Sequence, residues 1–377
     1  MPPVSARIKI AVNAWFVDMF QTGSGQYTRQ LLEALPAVAP EFQLEWVSPT
    51  PHQRGDLAKV AFEQIHFPRA AKRMNADLAF VPYWAPPLQS AVPIITTIHD
   101  VIPLALPAYR GGPQHRAYAA LVRAGAGSAA AIITDSEHSK SDIARLLPVA
   151  EANITVVPLA ARAEYTPDIA DEDTQRVYER YALPERYVLY LGNFDPRKNI
   201  ETLLQVMVWC GDSIGTEQPL VINGTPETPV TTSSGERVNL QHMIDTLEVA
   251  DVVRLIGRVA EEDKPALYAH ARVFLLPSLY EGFGLPALEA MACGTPVIGS
   301  NASSIPEVVG NAGILVDPTD ARRMAGAVIA LCDEDEYHDR MRQRSLMRAA
   351  QYSWQRTALE TASVFRKVAQ ILKTAKR

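Results

Sequence analysis

Short apolar runs alternate with longer amphipathic runs along the whole chain, and this alternation constrains the fold more than any other feature. A short apolar run bounded by turn residues is typical of a buried strand, and a longer run with apolar residues every three or four positions is typical of a helix. Their alternation predicts α/β architecture with parallel sheets. A chain of 377 residues exceeds the usual size of a single core, so we expect two such domains.

Two series of elements follow from this pattern. The first predicts strands at 8–12, 44–47, 78–81, 94–98, 131–134 and 154–157 and helices at 27–35, 114–125 and 139–147. The second predicts strands at 187–191, 220–222, 252–256, 273–276, 297–298 and 313–316, and helices at 200–210, 240–247, 264–270, 286–292, 322–331, 336–350 and 355–373. Residues 169–173 are acidic and turn-rich and predict a linker, and residues 225–238 predict a long loop. We therefore place the first domain at 1–167, the second at 168–354, and a last helix at about 355–377.

Composition excludes several classes of protein. A net charge of −6 argues against non-specific nucleic-acid binding, which needs a basic surface. Cys210, Cys293 and Cys332 are widely spaced, as expected for reduced thiols in the cytoplasm. No apolar run has membrane-spanning length, and the start of the chain lacks the apolar stretch of a signal peptide. We expect a soluble cytoplasmic protein that at most lies on a membrane surface.

The segment 281–289 reads Glu-Gly-Phe-Gly-Leu-Pro-Ala-Leu-Glu and carries the clearest functional signal. Pro286 suits the first turn of a helix, whose free N–H groups and positive dipole end hold anions. Gly282 and Gly284 let the backbone approach a ligand closely. Glu281 and Glu289, on either side, accept hydrogen bonds from hydroxyls. A ligand with phosphate in the middle and hydroxyls at both ends, such as a nucleotide-sugar, fits this layout.

Residues 278–297 resemble the donor-binding signature of glycosyltransferase family 4. The likeness continues through 191–199, 255–258, 303–310 and 312–318, but in the first half it is limited to 23–28, 99–100 and 136–140. The resemblance implies the GT-B fold, in which two Rossmann-like α/β/α domains face each other across a cleft and the C-terminal helix crosses back to the first domain. It also implies a retaining enzyme that moves a hexose from a nucleotide-sugar, with the leaving phosphate helping to deprotonate the acceptor.

The resemblance also assigns roles to residues of this chain. Glu281 would contact hydroxyls of the donor sugar, Glu289 the ribose, and Arg197 and Lys198 the diphosphate, while His99 would lie near the anomeric carbon or the sugar O6. His99, Glu281, Arg197 and Lys198 are therefore the candidate catalytic residues. The candidate donor-binding residues are Gly23, Gly25, Gly282, Phe283, Gly284, Leu285, Glu289, Ser303 and Ser304. None of the segments that carry the resemblance contains an Asp-x-Asp metal motif, so we expect neither a metal ion nor a cofactor.

Each of these residues also has a structural interpretation. Glu281, Arg197 and Lys198 could be solvated charges, and Glu289 an exposed first-turn residue. Gly23 and Gly25 could form an ordinary turn; a dinucleotide site is rejected because Thr28 stands where a third small residue is needed. His99 could be structural. Ser304 and Glu307 have the spacing of a capping box.

The donor and acceptor are predicted less directly. The pieces 13–15, 23–27 and 99–103 look most like bacterial surface-polysaccharide mannosyl- and glucosyltransferases. GDP-mannose is the first donor expected and UDP-glucose the second, with a glycan or lipid-linked acceptor. Arg69, Lys72 and Arg73 form a basic cluster that could meet the acidic inner face of the cell membrane. The alternatives are another GT-B enzyme, such as a sugar-nucleotide epimerase or a phosphorylase, and a non-catalytic nucleotide-sugar-binding protein.

Overall fold

The chain forms two compact units, the first made of Met1–Leu159 with Ser353–Arg377 and the second of Ala160–Tyr352. The structure is a computed structural model, and it describes residues 7–19, 22–50, 55–109, 111–232 and 234–375. The chain start, on which the expectation of no signal peptide rests, lies outside the described residues.

The first unit is built on a six-stranded sheet in the order β2-β1-β3-β4-β5-β6, in which all neighbouring strands are parallel. Its strands are β1 Ile8–Asn13, β2 Phe42–Val47, β3 Leu78–Val81, β4 Ile94–Thr97, β5 Ala131–Thr134 and β6 Ile154–Val156. Strands β3, β4 and β5 are buried along their whole length, as expected when helices cover both faces of a parallel sheet.

The helices of the first unit up to the linker are α1 Gly23–Val38, α2 Asp56–Ala61, α3 Phe67–Arg73, α4 Ile102–Ala105, α5 Pro113–Ala126 and α6 Glu137–Leu146. A π-helical turn, Phe62–His66, joins α2 to α3, and the N–H of Phe67 bonds to the carbonyl of Phe62. Pro68 has no N–H to continue the α-helical ladder, which accounts for the wider turn just before it. No helix was predicted between residues 48 and 77, so this stretch was missed.

The second unit repeats the pattern with the strand order β11-β8-β7-β12-β13-β14, again all parallel. These strands are β7 Val188–Tyr190, β8 Leu220–Ile222, β11 Val253–Leu255, β12 Val273–Leu276, β13 Val297–Ser300 and β14 Ile314–Val316. The helices are α7 Asp171–Tyr181, α8 Ile200–Cys210, α9 Leu240–Thr246, α10 Lys264–Ala269, α11 Leu285–Ala292, α12 Ile305–Val309, α13 Ala321–Asp333 and α14 Asp335–Ala349.

Two stretches of the second unit differ from the sequence prediction. The acidic residues expected in a linker, Asp171 and Asp173 among them, form the first turn of α7, where negative charge complements the helix dipole. The expected long loop contains a small antiparallel pair, β9 Pro229–Thr231 and β10 Arg237–Asn239. In both stretches the residues are polar, but their backbone N–H and C=O groups are paired in a helix or in a two-stranded sheet.

The last helix, α15 Trp354–Ala375, belongs to the first unit and packs against α1. Phe365 is fully buried there, with its ring edge-on to Phe42 and Phe80 at centroid distances of 5.6 and 5.1 Å. The first boundary between the units falls after Leu159, earlier than the predicted 167. The reason is that Tyr165 lies in the buried core of the second unit.

Candidate active site

The predicted donor loop lies between β12 and α11, at the carboxyl end of a fully buried strand. Gly284 has φ +107°, a left-handed conformation that favours glycine, and an added Cβ would lie 2.9 Å from Ile305 Cδ1. Pro286 then stands in the first turn of α11. The loop therefore turns sharply into a helix N-terminus, as the sequence predicted.

Glu281 is only 6% exposed, and three donors hold its carboxylate. Lys198 Nζ and Ser278 Oγ lie 2.5 and 2.7 Å from Oε1, and Arg197 Nη1 lies 2.7 Å from Oε2. Burial would raise the pKa of this carboxyl, but the charges of Lys198 and Arg197 outweigh it and hold the pKa below its ordinary value. Glu281 is therefore an ionised, buried carboxylate between two cations, and the interpretation as a solvated loop residue is wrong.

The two cations reach Glu281 because their turn is fixed to the donor loop. Arg197 and Lys198 lie in the short helical turn Pro196–Lys198 that follows β7, and β7 pairs with β12. Leu279 N–H donates to the Arg197 carbonyl at 2.7 Å, and Asn199 Nδ2 donates to the carbonyl of Pro277 at 3.1 Å. Lys198 is 5% exposed, so neither cation is a freely solvated charge.

The side chains of Ser303 and Ser304 hydrogen-bond to the backbone of the same loop. Ser303 Oγ accepts from the Glu281 N–H at 2.8 Å. Ser304 Oγ donates to the carbonyls of Glu281 and Phe283, at 2.9 and 2.8 Å. Ser304 is the N-cap residue of α12, but its side chain makes no capping bond. The capping-box interpretation is therefore wrong, because the hydroxyl bonds to the loop instead.

Glu289 lies in α11 and has different partners from Glu281. It is 8% exposed, and Tyr268 donates to its Oε2 at 3.4 Å, while the hydroxyl of Tyr165 also hydrogen-bonds to it. Burial raises the pKa of Glu289 to about 7, against the opposing effect of the cations Lys264 and Arg162. The interpretation as an exposed first-turn residue is wrong, and this carboxyl changes charge near neutral pH.

In the first unit, the glycine-rich start of α1 and His99 come together. Thr22 caps α1 by accepting from Gly25 N–H at 3.1 Å. The ring of Tyr27, in the same helix, stands edge-on to the His99 ring at 4.7 Å. An added Cβ at Gly23 would meet nothing within 4 Å, whereas at Gly25 it would lie 2.2 Å from the Met19 carbonyl oxygen. Gly25 is therefore required by packing, and Gly23 faces open space.

Several residues of these sites were not predicted. Tyr165, Tyr268, Arg162 and Lys264 surround Glu289 although they are distant in sequence, and Asp135 pairs with His99 Nδ1 at 2.8 Å. Asp135 follows β5 directly, so the rule that ligands meet strand ends could have identified it. Among the residues that the structure describes, no three His, Cys, Asp or Glu side chains converge in a way that could hold a metal ion.

Comparison with known proteins decides the family. The family model described as "Glycosyltransferase Family 4" matches residues 23–164, and the one described as "Glycosyl transferases group 1" matches residues 171–347. The O-antigen chain mannosyltransferase B of Escherichia coli is 34% identical over 273 residues, which cover 72% of this chain and 70% of that protein. The chain belongs to glycosyltransferase family 4. It is a hexosyltransferase, which decides against the epimerase and the non-catalytic binding protein.

Another relative of this glycosyltransferase is longer. The serotype-specific mannosyltransferase WbdA of Escherichia coli is 28% identical over 70% of this chain, but the match spans only 32% of that protein. Among solved structures, sucrose-phosphate synthase from Thermosynechococcus elongatus matches 96% of the chain and 99% of its own, with TM-score 0.71 and 23% identity. HepE of Anabaena in complex with UDP and glucose matches 98% and 100%, with TM-score 0.64 and 16% identity. These likenesses confirm the GT-B fold with two Rossmann-like domains.

Proposed function

We propose that this enzyme, a hexosyltransferase of polysaccharide biosynthesis, transfers mannose from GDP-mannose to a glycan or lipid-linked acceptor with retention of anomeric configuration. The observation that carries the proposal is the buried Glu281 carboxylate, held between Lys198 and Arg197 at the start of α11. A helix N-terminus and two cations suit a diphosphate, and a fixed carboxylate beside them suits sugar hydroxyls.

The donor fits this site in one direction. The backbone N–H groups at the N-terminus of α11, with Arg197 and Lys198, bind the diphosphate and offset its charge as the glycosidic bond breaks. Glu281 accepts from hydroxyls of the sugar. Glu289, further along α11, accepts from the ribose hydroxyls. The acceptor hydroxyl attacks the anomeric carbon on the face from which the diphosphate leaves, and a diphosphate oxygen takes the proton of that hydroxyl. No covalent intermediate with the enzyme forms.

The choice of mannose rests on the names of the relatives. The two Escherichia coli relatives are mannosyltransferases, and so is the MMP alpha-(1->4)-mannosyltransferase of Mycolicibacterium hassiacum, 31% identical over 63% of this chain and 54% of its own length. UDP-glucose is the second candidate, because HepE was solved with UDP and glucose.

A donor screen tests the proposal. Thermal unfolding with GDP-, UDP- and ADP-sugars should give its largest stabilisation with GDP-mannose, about 2.7 kcal/mol at a hundredfold excess over Kd. Labelled mannose should then appear in the acceptor in the α configuration, with release of GDP. The Arg197→Ala/Lys198→Ala double variant should lose both effects, whereas Arg237→Ala, a change at an exposed cation of the β9–β10 pair, should keep them. Wild-type turnover in the double variant would overturn the site.

We also propose that the enzyme works at the inner face of the cell membrane. Arg69, Lys72 and Arg73 are exposed on α3, and Arg69 and Lys72 line a cavity of about 710 Å³ beside the partly exposed Ile65. Each such cation adds about 1 kcal/mol of attraction to an anionic surface. None of the described helices is long and apolar enough to cross a bilayer.

Co-sedimentation with vesicles tests the membrane proposal. Vesicles of phosphatidylglycerol should retain the enzyme and vesicles of phosphatidylcholine should not. Changing the three cations to Gln should weaken the retention about a hundredfold. Equal retention by both kinds of vesicle, or by the variant and the wild type, would contradict it.

A further inference from the structure

A histidine–aspartate pair, of which the aspartate is buried and the histidine partly exposed, lies at the carboxyl ends of two neighbouring strands of the first unit. His99 follows β4 and Asp135 follows β5, and these strands are parallel neighbours, with Thr97 opposite Ile133. His99 Nδ1 and Asp135 Oδ2 are 2.8 Å apart, and Asp135 is 2% exposed. An ionised carboxylate only accepts hydrogen bonds, so Nδ1 carries the proton of this bond.

Away from Asp135, the His99 ring packs against Tyr27, and its Nε2 has no hydrogen-bond partner among the described residues. The Tyr27 ring stands at 85° to the imidazole, and its hydroxyl is fixed by Thr97 Oγ1 at 3.0 Å. His99 Nε2 is buried and has no hydrogen-bond partner among the described residues. A buried polar atom left without a partner costs about 1–3 kcal/mol. A ring held by Asp135 and Tyr27, with an unpartnered nitrogen, is the arrangement expected where a ligand supplies the missing partner.

The charges that face His99 favour the protonated ring. Burial would lower the pKa of His99, but Asp135, by charge and hydrogen bond, and then Asp100 and the backbone of Pro82 raise it above its ordinary value. The group from α1 that faces the ring, Tyr27, is neutral, since burial raises its pKa. The ring therefore presents Nε2–H as a charged hydrogen-bond donor over a wider pH range than an isolated histidine.

We infer that Asp135 is a positioning residue for the transfer reaction, which fixes the His99 ring so that its Nε2–H points at an oxygen of the nucleotide-sugar. This inference rests on the proposed function, because it takes His99 to face the donor. Asp135 itself touches no substrate, and it acts only through the orientation and charge of His99. Its loss should therefore change the rate and its pH dependence and leave the binding of GDP, which is held by the second unit, unchanged.

Imidazole NMR tests the first half of the inference without any substrate. The His99 signals, assigned by their loss in His99→Gln, should show a proton on Nδ1 and a pKa above the ordinary value of a histidine. Asp135→Asn should lower that pKa. Asp142→Asn is the matched control, because Asp142 pairs with His138 within α6 at 3.6 Å, and it should leave His99 unchanged. An Nδ1 without a proton, or a His99 pKa that is the same in Asp135→Asn, would overturn the inference whatever the donor proves to be.

A double-mutant cycle tests the second half. Asp135→Asn should lower kcat about 100-fold at pH 8 and less at pH 6, because the unsupported ring is charged only at lower pH. In the His99→Gln background the same change should cost less than about twofold, while Kd for GDP stays constant throughout. Thermal unfolding confirms that each variant is folded. Additive losses in the double variant would show that Asp135 acts independently of His99 and would overturn the inference while leaving the proposed function intact.

Discussion

Glu281 and Glu289 are separated by one loop and one helical turn, yet their surroundings shift their pKa values in opposite directions. The pKa of Glu281 is lowered because Lys198 and Arg197 outweigh burial, and that of Glu289 is raised to about 7 by burial. The stability contributed by Glu281 is therefore present above its ordinary pKa and lost as pH falls through the lowered value. That of Glu289 is full below its ordinary value of 4.5 and lost as pH rises through 7.

Because the two pKa values shift in opposite directions, removing the charge of Glu281 and removing that of Glu289 should have opposite effects on stability. Glu281→Gln should lower the stability of the second unit by about 3 kcal/mol at pH 8, because Lys198 would be left buried without its counter-charge. Glu289→Gln should raise Tm at pH 8 by about 3 °C and change it little at pH 5, where Glu289 is already neutral. Thermal unfolding across pH 5–8 is the measurement, and a lower Tm for Glu289→Gln at pH 8 would show that the buried carboxylate is well compensated.

The same residue predicts how donor binding depends on pH. With a pKa of about 7, the ionised fraction of Glu289 rises about tenfold between pH 6 and 8, so the affinity for GDP-mannose should rise about tenfold. Glu289→Gln should bind about tenfold more weakly at pH 8 and show a flat profile, whereas Glu281→Gln should keep the slope. Calorimetric titration is suitable because the diphosphate of a nucleotide-sugar does not titrate in this range. A flat wild-type profile would place the ribose elsewhere.

At the scale of residues, the sequence predicted correctly which residues lie close together, but it did not predict their hydrogen-bond partners. Residues after β7 and β12 meet because those strands are neighbours in the sheet, so Arg197, Lys198 and Glu281 could be grouped. That both cations bond to Glu281 depends on side-chain packing, which no spacing encodes. Tyr165 was missed because contacts across the fold leave no local pattern in the sequence, and Asp135 was missed although its place directly after β5 could have indicated it.

At the scale of elements, two glycines at the start of α1 provide a matched pair. Gly25→Ala should destabilise the first unit by about 2 kcal/mol, because its Cβ would meet the carbonyl oxygens of Met19 and Phe16 at 2.2 and 2.8 Å. Gly23→Ala should leave stability unchanged or slightly raised and reduce turnover if α1 meets the donor. Thermal unfolding and a transfer assay separate the two effects. Unchanged turnover in Gly23→Ala would remove Gly23 from the candidate site.

Strands and amphipathic helices were predicted well because each has a characteristic spacing of apolar residues, two in a strand and about 3.6 in a helix. The buried strands β3, β5, β8 and β12 coincide with their predictions. The stretch from α2 to α3 was missed because its π turn breaks the 3.6-residue period. Helix α7 was missed because its first turn is acidic and follows a turn-rich stretch, and such a composition is typical of loops as well as of helix starts.

At the scale of the whole molecule, the proposed mechanism takes the charges for catalysis from Arg197, Lys198 and helix N-termini. Transfer should therefore continue at full rate in excess EDTA, and added Mg²⁺ or Mn²⁺ should raise it less than about twofold. Measuring turnover after dialysis against chelator, with and without each ion, tests this. Complete loss of activity restored by one of the ions would replace the cation-based site by a metal site.

The position of α15 also has a consequence for synthesis on the ribosome. Because Phe365 covers Phe42 and Phe80, the first unit lacks part of its core until α15 has emerged, whereas the second unit is continuous in sequence. A chain ending at Tyr352 should therefore contain a protease-resistant second unit and a protease-sensitive first unit. Of the two units, the one that is synthesised first is then the one that finishes folding last, and a nascent chain that stalls before α15 leaves the apolar rings of Phe42 and Phe80 without their cover.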